Sequence, residues 1–85
     1  MNVMPDKFVK MQPLHESTVI AAYGYAETTR RLYIQLREGK NLVYENVPRF
    51  RITGLLTTPK KDDYYKTQIK PVFLAKEIAE IPGQK

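Results

Sequence analysis

Three short stretches set cations beside aromatic rings. In Arg31-Leu32-Tyr33-Ile34-Gln35-Leu36-Arg37 the residues Arg31, Tyr33, Gln35 and Arg37 alternate with aliphatics, so on a strand they share one face. Arg49-Phe50-Arg51 follows directly on Val47-Pro48. The run PKKDDYYKTQIK (59–70) interleaves Lys60, Lys61, Lys66 and Lys70 with Tyr64 and Tyr65. Rings stack on unpaired bases, cations meet phosphates, and an amide can bond a base edge. The residues read as candidates for nucleic-acid binding are Arg31, Tyr33, Arg37, Arg49, Phe50, Arg51, Lys60, Lys61, Tyr64 and Lys66. Each stretch also has a plain folding reading. Tyr33 then packs across its strand, Phe50 staples a helix end to the sheet, and one tyrosine of the pair is buried while the lysines stay solvated.

Covalent and metal chemistry find little support. There is one histidine, His15, and no cysteine. Metal sites need clustered His, Cys, Asp or Glu. The acidic pair Asp62-Asp63 is flanked by Lys60, Lys61 and Lys66, which reads as a solvated, self-compensating charge run. The four glycines lie far apart, so no phosphate-cradling loop is present. The expectation is a chain with no catalytic residue, no metal and no cofactor.

Charge placement supports a polyanionic partner. Residues 30–70 hold ten Lys/Arg and four Asp/Glu, a net of +6; the rest holds four and five, a net of −1. A basic field in the middle of a domain favours nucleic acid, a nucleotide or an acidic protein surface. No run approaches the ~18 apolar residues of a membrane span, and Pro5, Asp6 and Lys7 interrupt any signal-peptide core. The expected location is the cytoplasm.

The elements that must position these residues are legible from periodicity. Eighty-five residues make one domain, divided here into an arm (1–13), a folded unit (14–81) and a frayed end (82–85). Residues 17–25 are β-rich, with Val19, Ala21, Tyr23 and Tyr25 on one face and Ile20, Ala22 and Gly24 on the other. Residues 31–37 alternate cleanly, and a hairpin loop at Gly39 leads into a third strand over 41–47. Pro48 suits the first turn of a helix over 48–58, with Pro48, Ile52, Leu55 and Leu56 on one side and Phe50 opposite. The run 59–70 reads as a charged loop. Pro71 then opens a second helix over 71–81, with Val72, Leu74, Ala75, Ile78 and Ile81 inward. The predicted core is Leu32, Ile34, Leu36, Leu55 and Leu56. Strands followed by helices predict an α+β fold: a three-stranded antiparallel β-meander packed against two C-terminal helices, its other face open to solvent.

The order of these residues resembles the KTSC domain, a small domain named for the C-terminal region of some lysyl-tRNA synthetases. The resemblance runs from Ser17 to Ile69. It rests on Gly24-Tyr25, the aliphatics Leu32, Ile34 and Leu36, the turn Gly39, and Leu42-Val43-Tyr44 leading to Val47-Pro48. It continues through Leu55, Tyr64-Tyr65 and Ile69. Three positions depart from the family pattern. Leu42 replaces a tyrosine, Lys60-Lys61-Asp62 replaces a Ser-x-Gly segment, and Lys66 replaces an asparagine, so a site built on those groups would be altered. The resemblance implies the α+β fold, partial burial of Tyr65 with Tyr64 left free, and, through the synthetase context, RNA as a ligand. The expected function is a small non-enzymatic binding module for RNA or single-stranded nucleic acid. The alternative is a protein-interaction module, such as a phage or mobile-element accessory or inhibitor, that meets an acidic partner surface.

Overall fold

The computed structural model describes Asp6 and residues 8–83. The expectations for residues 1–5, 7, 84 and 85 lie outside the described residues. Five strands form one antiparallel sheet in chain order: β1 (Gln12–Pro13), β2 (Ile20–Ala26), β3 (Arg31–Leu36), β4 (Asn41–Tyr44) and β5 (Ala75–Ile78). Between β4 and β5 the chain forms α1 (Arg49–Thr57) and α2 (Lys61–Tyr64), and α2 runs on as a π-helical turn over Tyr65–Ile69. The α+β class is as expected. The three predicted strands are the central ones, but the meander is longer by an edge strand at each side.

The C-terminal edge corrects the predicted second helix. Residues 71–81 are not helical: β5 pairs antiparallel with β4, Val43 opposite Lys76 and Tyr44 opposite Ala75. The apolar positions in this short run fit either period, and so short a run leaves helix and strand unresolved. Tertiary context decides. A helix here would leave the outer edge of β4 without partners, whereas β5 satisfies it, and the Glu45 amide extends the ladder to the Leu74 carbonyl at 3.0 Å.

The second helical segment lies instead at 61–69, where a charged loop was expected. Asp62 and Asp63 stand in its first turn, where negative charge suits the helix dipole. Lys61, Tyr65 and Ile69 recur every four residues and are its buried positions. Such a stripe, with a lysine for one of its three members, gives almost no apolar signal in sequence.

The main core lies between the sheet and the helices. Ile20, Leu32, Ile34 and Tyr44 meet Val47, Ile52, Leu55, Tyr65 and Ile69 there. Of the five predicted core residues, Leu32, Ile34 and Leu55 are fully buried and Leu36 is half-buried against the cluster. Leu56 is 39% exposed, because the inward stripe of α1 is centred on Ile52 and Leu55. A register shift between Ile20 and Ala22 sets Ile20 in the same core as Tyr23 and Tyr25, rather than on the face of Gly24. Tyr44 and Tyr65 meet edge to face, 6.1 Å between centroids, and share a 2.5 Å hydrogen bond that satisfies both buried hydroxyls.

The opposite face of the sheet is not open, as it was expected to be. Val9, Tyr33, Val43 and Ile81 form a second apolar cluster there, with Met11, Ala26 and Ile78 against it. The arm makes this cover. Gly24 permits it: a Cβ at Gly24 would stand 2.5 Å from the Val9 side chain and 2.7 Å from the Met11 sulfur. The Val9 amide bonds the Pro82 carbonyl at 3.0 Å, so the arm and the start of the predicted frayed end join the folded unit.

Candidate nucleic-acid interface

The strand-to-helix junction is set by its backbone. Asn46 takes a left-handed φ of 58°, a conformation asparagine tolerates better than most residues, and this turns the chain off β4. Val47 is fully buried as a plug. Its amide donates to the Arg30 carbonyl at 2.8 Å and its carbonyl accepts the Tyr25 hydroxyl at 2.5 Å. Pro48, at φ −72° and ψ 153°, then caps α1 as its N-terminal residue. No side chain caps the first turn and no acid lies in it, so the positive end of the helix faces outward.

Phe50 stands on that first turn and is 65% exposed. It does not staple the sheet. The Arg51 guanidinium lies over its ring, 5.1 Å from the centroid, and is held there by a 2.7 Å bond from Nη1 to Gln68 Oε1 in the π-helical turn. Arg49 is exposed and pairs with Glu27 across the surface. The junction therefore carries an open phenyl face, a guanidinium already stacked on its ring, a second guanidinium, and unfilled backbone donors. A base can stack on such a ring while a phosphate meets the arginines and the helix end.

The other candidate residues separate into distinct environments. Tyr33 is 4% exposed, buried under the arm. Its hydroxyl donates to Asp6 Oδ2 at 2.6 Å, and burial first, then Asp6, pushes its pKa up to about 12. It is not the exposed stacking ring that alternation suggested. Arg31 on the same face is half-buried and paired with Glu45 at 3.2 Å and Asp6 at 3.7 Å. Arg37 donates to the carbonyls of Ser17 at 2.8 Å and Leu14 at 3.2 Å, bracing the turn before β2.

In the 59–70 stretch the correction is sharper. Lys61 is 6% exposed. Its ammonium donates to the Leu56 and Thr58 carbonyls at 3.0 and 2.9 Å and pairs with Glu16 at 3.2 Å. It closes the C-terminal end of α1, where orphan carbonyls need donors. Tyr64 is half-buried: its ring occupies the space over Gly54 that a Cβ would need. Tyr65 is fully buried in the core, beyond the partial burial expected. Lys60 and Lys66 are exposed. The structure thus leaves Arg49, Phe50 and Arg51 together on one surface, with Lys60 and Lys66 exposed on the same helical layer, and removes Arg31, Tyr33, Arg37, Lys61 and Tyr64 to structural duties.

Two residues matter here that sequence reasoning missed. Asp62 is not merely solvated. Its carboxylate accepts Ser17 Oγ at 2.5 Å, Thr18 Oγ1 at 2.5 Å and the Thr18 amide at 3.0 Å. The Ser17 bond foremost, with those of Thr18, holds its pKa down to about 2. Ser17 is itself buried and accepts the Ile20 amide at 2.8 Å. The available signal was Ser17-Thr18 just before a strand, a pair suited to such local turns, but its acidic partner lies 44 residues away. Among the described residues, no group of three or more His, Cys, Asp or Glu is placed to hold a metal, and no helix is long and apolar enough to cross a membrane.

The family model for the KTSC domain matches residues 16–73, the stretch that holds β2 to β4 and both helical segments. The chain is also similar to the crystal structure of a KTSC domain protein from Yersinia pestis. The TM-score is 0.79 at 29% identity, over 85% of this chain and 100% of that one. No curated protein matches the chain.

Proposed function

The chain belongs to the KTSC domain family, and from that premise we propose that it is a non-enzymatic, cytoplasmic binding module that holds single-stranded nucleic acid, RNA foremost, at the β4–α1 junction. One observation carries the reading. Phe50 is a large ring, 65% exposed, on an uncapped helix end between two arginines, one of them already stacked on it. What sets Phe50 apart from the other exposed apolar side chains is its place between two guanidinium groups, where a base can stack on the ring. Gln68 holds Arg51 through its amide oxygen, which leaves its amide N–H groups as donors that a base edge could accept.

The test is a fluorescence-anisotropy titration with labelled single-stranded RNA and DNA oligonucleotides at several salt concentrations. Phe50→Ala should weaken binding by ~1–3 kcal/mol and leave the salt slope unchanged. Arg49→Ala should weaken it for every sequence and flatten the slope by ~0.7. Full affinity in Phe50→Ala would refute stacking at the junction. Absence of binding at low salt would refute the nucleic-acid reading and leave a protein partner as the ligand of this surface.

A further inference from the structure

The arm reaches over the sheet and sets one charged group, Asp6, against β3. Its carboxylate is almost fully covered, the side chain 8% exposed. Thr29 Oγ1 donates to it at 2.8 and 3.1 Å, Tyr33 donates its hydroxyl at 2.6 Å, and the Arg31 guanidinium lies 3.7 Å away. Two hydroxyl donors and a guanidinium converging on one anion are a recognition set for an oxyanion. All three donors belong to the β2–β3 turn and to β3, in the rigid middle of the sheet. The anion alone arrives on the arm. Beside it a groove of about 270 Å³ opens, with Val43, Ile78 and Pro82 as apolar lining and with Lys76, Glu45 and Glu80 on its walls.

We infer that Thr29, Arg31 and Tyr33 form a carboxylate seat which the chain's own Asp6 fills, so that the arm competes internally for this seat and its groove with a partner-protein segment that carries one acidic residue. Two features favour a carboxylate. The present occupant is one, on a peptide chain. Arg31 already bonds Glu45 at 3.2 Å, so a single cation is shared between two anions, and a dianionic phosphate would add a further uncompensated charge. The groove would meet the neighbours of that one acidic residue with apolar lining and Lys76, while Glu45 and Glu80 on its walls disfavour a second acid there. Release of the arm leaves the main core intact. It gives up the Val9–Pro82 backbone bond, the contacts over Gly24, the burial of Val9 and Met11 against Tyr33 and Val43, and the β1 pairing with β2, which spans only two residues. The α1 junction lies on other elements, so this seat stands or falls independently of nucleic-acid binding there.

The experiment uses the full chain and small anions as probes. Asp6→Ala empties the seat; Asp6→Asn keeps it filled with an amide carbonyl. Sodium acetate, sodium phosphate and sodium chloride are titrated at matched ionic strength while the amide NMR signals of Thr29, Arg31 and Tyr33 are followed. Acetate should give saturable shifts at all three in Asp6→Ala, with none beyond chloride in Asp6→Asn. Gly24→Val, which collides with Val9 and Met11 under the arm and keeps the identity of every seat residue, should bind acetate like Asp6→Ala. If acetate behaves like chloride in both Asp6→Ala and Gly24→Val, the contact is a brace and the seat does not exist. Saturation by phosphate and not by acetate would overturn the carboxylate assignment. If both variants fail to fold, the arm is never released and the competition is refuted.

Discussion

Two charged residues read from sequence as surface are structural, and each makes a measurable claim. The Asp62 carboxylate, gathered by Ser17 and Thr18, titrates in the fold at about 2, below its ordinary 3.8. A carboxylate lowered on folding stabilises fully above the unfolded value and loses that contribution as pH falls through the folded one. Urea midpoints followed by circular dichroism should therefore drop more steeply between about pH 4 and pH 2 in the natural chain than in Asp62→Asn. Equal slopes would show that the carboxylate contributes nothing. Lys61 makes the complementary case. Lys61→Met keeps the aliphatic stem but strips the Leu56 and Thr58 carbonyls of their donor. The expected loss is about 1–3 kcal/mol, against at most ~0.5 kcal/mol for the exposed Lys66→Met. Urea unfolding of the two variants side by side decides it, and equal losses would place Lys61 in solvent.

At the scale of elements, the contact between α1 and α2 explains a residue that propensity alone makes puzzling. Gly54 sits inside α1 and weakens it by roughly 1 kcal/mol against alanine. The Tyr64 ring fills the space where a Cβ would be. Gly54→Ala should then lower the thermal midpoint, since displacement of the ring outweighs the gain in helix propensity. A raised midpoint would mean that Tyr64 yields easily and that the two helical segments are not locked at this point. β5 shows the same override of local preference. Its apolar residues satisfy a helical stripe on paper, yet the open edge of β4 recruits the chain as a strand. The cost is an exposed Leu74, at 83%, and an outer β5 edge guarded by Lys76 and Glu77, charges of the kind that discourage unwanted pairing.

For the whole molecule, the basic excess matters through the cations that remain free to act. Ten Lys/Arg lie in residues 30–70, but Arg31, Arg37 and Lys61 are engaged within the fold by carboxylates or backbone carbonyls, whereas the Arg49 pairing with Glu27 lies on the exposed surface and can be exchanged for a phosphate. Three to four phosphate contacts through Arg49, Arg51, Lys60 and Lys66 predict a slope of log K against log salt of about −2 to −3 on single strands. A slope steeper than about −5 would mean that the engaged cations are released on binding. The core sets the other global limit. Leu55 is fully buried between helix and sheet, so Leu55→Ala should cost ~2–5 kcal/mol, a large share of the ~5–15 kcal/mol that holds an ordinary domain together. An unchanged denaturant midpoint would contradict the helix-on-sheet packing.

The sequence by itself determined what local periodicity encodes. Alternation in residues 17–25, 31–37 and 41–47, the turn at Gly39 and the proline before α1 specified three paired strands running into a helix. They also specified the two sides of β3, and they placed Phe50 off the buried stripe of α1. These signals are local because strand and helix periods are set by backbone geometry within a few residues. Tertiary structure alone decided what covers each face. Whether Tyr33 is bare or roofed depends on Asp6 and Val9 crossing the sheet. Whether Lys61 is free depends on where the carbonyls of α1 end, and Asp62 gains its role from Ser17 and Thr18 across 44 residues. Residues 71–81 became a strand because β4 had backbone groups left to satisfy. In each case the deciding term is the desolvation of a polar or apolar group by a segment distant in sequence, and no local period records that.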